Sequence, residues 1–177
     1  VPMIGKDTAV MTLQNGWGNA QAIGAIVGDD RVVVGLTYNS GSLIAPGHVK
    51  HTAISKTLIG EQSGRTTDRL DAIEAAFRSG GLETIPTDRI VEEVWKKLAL
   101  NCCALPVSGL LGLFADELIA LPGAERVVAA ILREVVDVAA AKGLSLDYDA
   151  QWATIRGILA NAKGAKASML QDVEARR

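Results

Sequence analysis

Between Asp7 and Tyr38 the sequence follows an order that few folds accept. Asp7 to Leu13 ends in Ala9-Val10-Met11-Thr12-Leu13, short, β-prone and apolar enough for a strand buried on both faces. Gln14-Asn15-Gly16 makes a tight exit from it, and Trp17 to Ile26 carries helical spacing. Arg31 to Tyr38 then holds a second apolar strand, Val32-Val33-Val34-Gly35-Leu36-Thr37. Strand, turn, helix and strand on this scale predict a parallel βαβ element and hence an open α/β sheet.

The pattern changes twice further on. Asn39 to Glu61 is rich in Gly, Ser and Thr, with a turn at Pro46-Gly47 and extended stretches at Val49–Ser55 and Lys56–Ile59. Thr66 or Thr67 caps a helix that runs to Phe77 with Leu70, Ile73, Ala76 and Phe77 as its stripe. Ser79-Gly80-Gly81 stops that helix, and Leu82 to Ile85 reads as a last strand ended by Pro86. Beyond this the pattern is helical only: Asp88 to Leu105, Glu125 to Lys142 closed by Gly143, Asp149 to Ala162, and a fourth opened by Ser168. The expected organisation is therefore an α/β part over residues 1–87 and an all-helical part over 88–177. Val1-Pro2-Met3-Ile4 lacks a signal peptide's basic and apolar regions, and Glu174-Ala175-Arg176-Arg177 stops inside a helical pattern, so the sequence reads as a piece of a longer protein.

Charge and composition remove several function classes. Eighteen Lys+Arg against 20 Asp+Glu leave a net charge of −2, without the basic field that attracts nucleic acid or anionic lipid. Aromatics at 4% argue against a base-stacking surface. The most apolar stretch, Val127 to Ala141, is interrupted by Arg133, Glu134 and Asp137, well short of the roughly 20 residues that span a bilayer. The two cysteines, Cys102 and Cys103, are adjacent and have no third to pair with, so a reducing, cytoplasmic setting is expected. His48 and His51, three apart in an extended segment, face opposite ways, and no metal site is expected.

Three places carry polar groups in patterns that suit chemistry. Gly16-Trp17-Gly18-Asn19-Ala20-Gln21 imitates a dinucleotide fingerprint but puts Gln where the third Gly would be. The preceding Gln14-Asn15-Gly16 turn leaves a strand on the side where α/β sheets bind ligands, though Asn-Gly is also a common turn pair. In the helix after Asp88, Lys97, Asn101 and Ser108 fall within about 40° of one another at 100° per residue. Lys97 is equally a solvated i,i+4 partner of Glu93. Ser168, with Gln171 three residues on, matches a capping box, and such a helix start also accepts a carboxylate.

Together these segments resemble the ketopantoate reductase (2-dehydropantoate 2-reductase) family. The matching stretches are Leu13-Gln14-Asn15-Gly16, Pro46-Gly47-His48-Val49, Ile59-Gly60-Glu61, Trp95 to Cys102, and Ser168-Met169-Leu170-Gln171-Asp172. The resemblance implies the C-terminal part of a Rossmann-type dinucleotide-binding domain followed by an incomplete helical domain, similar to the C-terminal domain of 6-phosphogluconate dehydrogenase. It implies NADPH-dependent reduction of ketopantoate to pantoate, in pantothenate biosynthesis, by a cytoplasmic homodimer. Carried over by position, Lys97 is the catalytic proton donor, Asn101 and Ser168 bind substrate, and Asn15 lies where cofactor and substrate meet. Leu105 departs from the family pattern, which has an asparagine there, and this keeps other branched 2-oxo acids open as substrates. The glycine-rich fingerprint would precede Val1, so the 177 residues alone are expected to be inactive. A different class, a non-catalytic helical dimerisation or regulatory module, is the competing expectation.

Overall fold

The computed structural model describes residues 3–176. The chain forms two compact units, one running through Val94 and the other starting at Trp95. In the first unit, β1 (Val10–Thr12), α1 (Asn19–Val27) and β2 (Val32–Thr37) make the expected βαβ element, with β1 and β2 parallel from Val10 opposite Val32 to Thr12 opposite Val34. A hairpin of β3 (Ser40–Ala45) and β4 (His48–Ala53) follows, then β5 (Thr57–Glu61), α2 (Asp68–Ser79) and β6 (Thr84–Pro86). The four-stranded sheet has the order β1-β2-β5-β6. It is parallel at both ends, whereas β2 and β5 are antiparallel. The hairpin between those two strands supplies no crossover helix, so β5 returns alongside β2 in the opposite direction.

Alternation along the strands decides which helix covers which face. Val32, Val34, Leu36 and Leu58 pack with Ala20 of α1 and with Ile90, Val91 and Val94, at the start of a long helix α3 (Ile90–Leu111). Val33 and Ile59 face the other way, onto Leu70 and Ile73 of α2. With both faces covered, β2 is buried over its first five residues, which explains why it reads as an unbroken apolar run. Gly60 permits the close approach of α3: a Cβ there would lie 2.4 Å from the Thr87 carbonyl oxygen and 2.6 Å from Ile90 Cβ.

Two polar clusters tie this unit together. Glu61, 5% exposed at the end of β5, accepts from Arg69 Nε at 2.7 Å and from the Thr67 hydroxyl at 2.6 Å, and Arg69 also donates to the Asp30 carbonyl. Thr67 thus occupies the N-cap position of α2 as expected, but its hydroxyl serves Glu61 and makes no cap hydrogen bond. At the root of the exposed hairpin, Asn39 Nδ2 donates to the Ser55 carbonyl (2.6 Å) and to Thr37 Oγ1 (2.8 Å). Its Oδ1 accepts from the Ser55 N–H and from His51 Nε2.

In the second unit α3 continues to Leu111 past Pro106, whose position on the exposed side lets the helix run on. It is followed by α4 (Glu117–Ala120), α5 (Pro122–Ala141), α6 (Tyr148–Asn161) and α7 (Ser168–Glu174). The core joins Ala99, Cys103 and Val107 of α3 to Leu118, Val128, Leu132, Ile155 and Leu159. α5 starts three residues before Glu125 because Pro122 suits a first helical turn, and Gly143 just past its end takes φ 79°. Asp147 caps α6 by accepting the Ala150 N–H at 2.7 Å. The capping box expected at Ser168 does not form: Ala167 is the N-cap, Ser168 is the first helical residue, and Gln171 Nε2 donates to the Lys166 carbonyl.

Candidate functional site

The sheet unit has a crevice at the carboxyl end of β1. There the Thr12 hydroxyl donates to Gln14 Oε1 and accepts the Gln14 N–H, bending the chain out of the strand. Gly16 and Gly18 both take left-handed backbone, at φ 95° and 100°, which residues with a Cβ rarely adopt. Asn19 Nδ2 donates to the Asn15 carbonyl at 3.0 Å and closes the turn onto the start of α1. Gln14 and Trp17 line the crevice with Thr12, Val34, Gln62 and Val94, while Asn15 itself is exposed outside that lining. Gln21 of α1 donates to Gln62 at 3.1 Å along the same crevice. Sequence reasoning turned the polar groups of Gln14-Asn15-Gly16 toward this crevice, but it did not single out Trp17 or Gln62 as lining residues. Trp17 follows the motif directly, whereas Gln62 arrives through the pairing of β5 with β2.

The helical unit presents the other groups on α3. Lys97 and Asn101 are half-buried and one helical turn apart, so their side chains share a face about 6 Å apart along the axis. Burial holds the Lys97 ammonium below the ordinary lysine value, because removing water penalises its charged form. Ser108, aligned with them by helical arithmetic, is fully buried, and its hydroxyl donates to the Leu113 carbonyl at 2.6 Å. It belongs to the core. Ser168 reaches α3 through its neighbour: Met169 Cγ lies 3.0 Å from where a Gly109 Cβ would stand. Gly109 is about 12 Å along the helix axis from Asn101 and about 18 Å from Lys97. Lys97 and Asn101 are therefore adjacent, and α7 meets the same helix two turns further on.

Burial raises the Cys102 thiol and pushes Cys103 up to about 12, with Cys102 adding to the latter shift. Both stay protonated near neutrality and are poor nucleophiles. Among the described residues no group of three or more His, Cys, Asp or Glu is placed to hold a metal ion. No helix is long and apolar enough to cross a membrane, again among the described residues.

A partly parallel sheet covered on both faces and followed by a helical unit is the fold of two-domain oxidoreductases built on a Rossmann-type sheet. Residues 89–177 match the profile described as ketopantoate reductase PanE/ApbA C terminal, and residues 1–64 match that of ketopantoate reductase PanE/ApbA. The chain belongs to the ketopantoate reductase family. It is 34% identical over 164 residues to a 2-dehydropantoate 2-reductase of Halobacterium salinarum, covering 93% of this chain and 54% of that one. Among solved structures, the 2-dehydropantoate 2-reductase of Geobacter metallireducens superposes with a TM-score of 0.90 at 28% identity, covering 99% of this chain and 59% of that one. The enzyme of the same name from Methylococcus capsulatus gives 0.87 at 29%, covering 98% and 56%. The chain thus spans little more than half the length of the relatives it matches.

Proposed function

We propose that the protein containing this chain reduces a 2-oxo acid to the 2-hydroxy acid with NADPH, the first substrate being 2-dehydropantoate. The observation that carries this reading is the half-buried ammonium of Lys97, one turn from the Asn101 amide, on a helix of the family's C-terminal unit. The nicotinamide, when bound, supplies a hydride to the carbonyl carbon. Negative charge then develops on the carbonyl oxygen, and Lys97 is suited to stabilise it and to deliver the proton. Partial desolvation strengthens that attraction and makes the ammonium a better acid. In this reading Asn101 binds the acid by neutral hydrogen bonds, Ser168 offers a hydroxyl at the start of α7, and Asn15 stands beside the crevice of the sheet unit.

That crevice suits a nicotinamide in its chemistry. It has carboxamide side chains at Gln14 and Gln62, an indole at Trp17, and open space where the Cβ of residues 16 and 18 would be. We assign residues 1–87 to the cofactor-binding domain and 88–177 to the substrate and dimerisation domain. We also propose a cytoplasmic homodimer serving pantothenate synthesis, with the 177 residues alone inactive. One observation favours a second reading, another branched 2-oxo acid: the next residue on the Lys97–Asn101 face is Leu105.

Replacing Lys97 with Ala in the protein containing this chain should lower kcat for NADPH oxidation with 2-dehydropantoate by about 10²-fold or more. Retained activity would favour the non-catalytic module instead.

A further inference from the structure

The chain has five asparagines, and the structure restrains four of them. Asn39 is fixed through both ends of its amide, Nδ2 donating to the Ser55 carbonyl and Oδ1 accepting from the Ser55 N–H. Asn161 Nδ2 donates to the Gly157 carbonyl, and the N–H that follows it, of Ala162, is taken by the Leu159 carbonyl at 3.2 Å. Asn101 lies inside α3, where the N–H of Cys102 belongs to the helix ladder. Asn19 Nδ2 is bonded to the Asn15 carbonyl, and the Ala20 behind it is 7% exposed.

Asn15 differs on every count. It is exposed, and among the described residues neither its side-chain amide nor the N–H of Gly16 has a hydrogen-bond partner. Gly16 follows with no Cβ, and nothing lies within 4 Å of where one would stand. Only the exposed bond from Asn19 Nδ2 to the Asn15 carbonyl restrains the peptide between Asn15 and Gly16.

We infer that Asn15 is a site of spontaneous deamidation, and that its conversion weakens the crevice for an anionic cofactor. The Gly16 nitrogen, its proton lost to hydroxide, attacks Asn15 Cγ. The new C–N bond closes a succinimide ring as the bond to Nδ2 breaks, and Nδ2 leaves as ammonia with a proton taken from water. Water then opens the ring at either carbonyl, giving aspartate or isoaspartate. The net change is amide plus water to acid plus ammonia, with no oxidant or reductant. Either product puts a negative charge on the turn between β1 and α1. Isoaspartate also adds a methylene to the main chain, beside the left-handed Gly16. The effect on cofactor binding rests on the reductase reading above, in which NADPH brings like charge to this crevice. The modification itself does not.

The test ages the protein containing this chain in mildly alkaline buffer and follows each asparagine by peptide mapping, with fragmentation to separate Asn15 from Asn19. Asn15 should convert first, about 10-fold or more faster than Asn39, which must give up the hydrogen bonds on its amide. In urea, where those bonds are gone, the gap should narrow. Conversion of Asn39 or of a helical asparagine ahead of Asn15 in the folded protein would overturn the site. Asn15→Asp, which makes the aspartate product directly, should raise the Kd for NADPH about 10-fold, and aged wild-type protein should lose binding in step with conversion. Unchanged binding in both would overturn the effect on the crevice. Wild-type protein that converts at Asn15 yet never binds NADPH would overturn the reductase reading and leave the modification site standing.

Discussion

In the sheet unit the candidate groups sit in a turn: Gln14 to Gly18 is shaped by two left-handed glycines and by hydrogen bonds that span two to four residues. In the helical unit they stand on α3, and what orients them is a core drawn from four helices, with Leu118, Val128, Leu132 and Ile155 each 1% exposed or less. The first arrangement is local and can adapt to a ligand. The second is set at long range and holds an ammonium and an amide at a fixed spacing, which proton transfer to a developing alkoxide requires. In the proposed reading the turn serves binding and the helix serves the chemistry.

The largest effect that would sharpen this contrast lies in the helical core. Leu132→Ala should cost about 3 kcal/mol in denaturant unfolding, because a fully buried leucine leaves a cavity that helices on several sides cannot close. A cost below about 1 kcal/mol would mean that the core is too soft to act as a rigid frame.

A smaller effect is expected in the sheet unit at Arg69. Arg69→Met strips the buried Glu61 of its strongest partner and should cost about 2 kcal/mol, less than for a wholly buried pair because the Arg69 side chain is 33% exposed. Its pH dependence carries the sign. Hydrogen bonding from Arg69 holds the Glu61 carboxyl below the usual carboxylate value, against the opposing effect of burial. The native state then binds fewer protons than the unfolded chain in acid, so this contribution is present above the unfolded value and is lost as pH falls through the lowered one. In Arg69→Met the largest lowering influence is gone and the Glu61 carboxyl moves up from its wild-type position, so the variant should lose less stability than wild type between pH values of about 5 and 3. Parallel losses would show that the clamp is incidental.

Much of this was legible because the signals are periodic. The βαβ element follows from apolar runs bounded by a turn, and the Lys97–Asn101 face follows from a spacing of four. The parts that escaped depend on partners distant in sequence. The antiparallel return of β5 depends on the hairpin supplying no crossover, and Gln62 reaches the crevice only through that pairing. Thr67 reads as a cap, yet its hydroxyl turns to a buried carboxylate six residues earlier. Ser108 has the right angle on α3 for the site, but the chain turning back at Leu113 takes its hydroxyl into the core. The short α4 carries too few residues for a periodic signal.

The account turns on Lys97 acting as a proton donor whose charge is partly desolvated. The direct measurement is the pH profile of kcat/KM for 2-oxo acid reduction by the protein containing this chain, beside that of Lys97→Arg. We predict a basic limb below the ordinary lysine value, since activity needs the ammonium and burial lowers it, and we predict that this limb moves to higher pH in Lys97→Arg. A basic limb that stays in place when Lys97 is replaced would contradict the account.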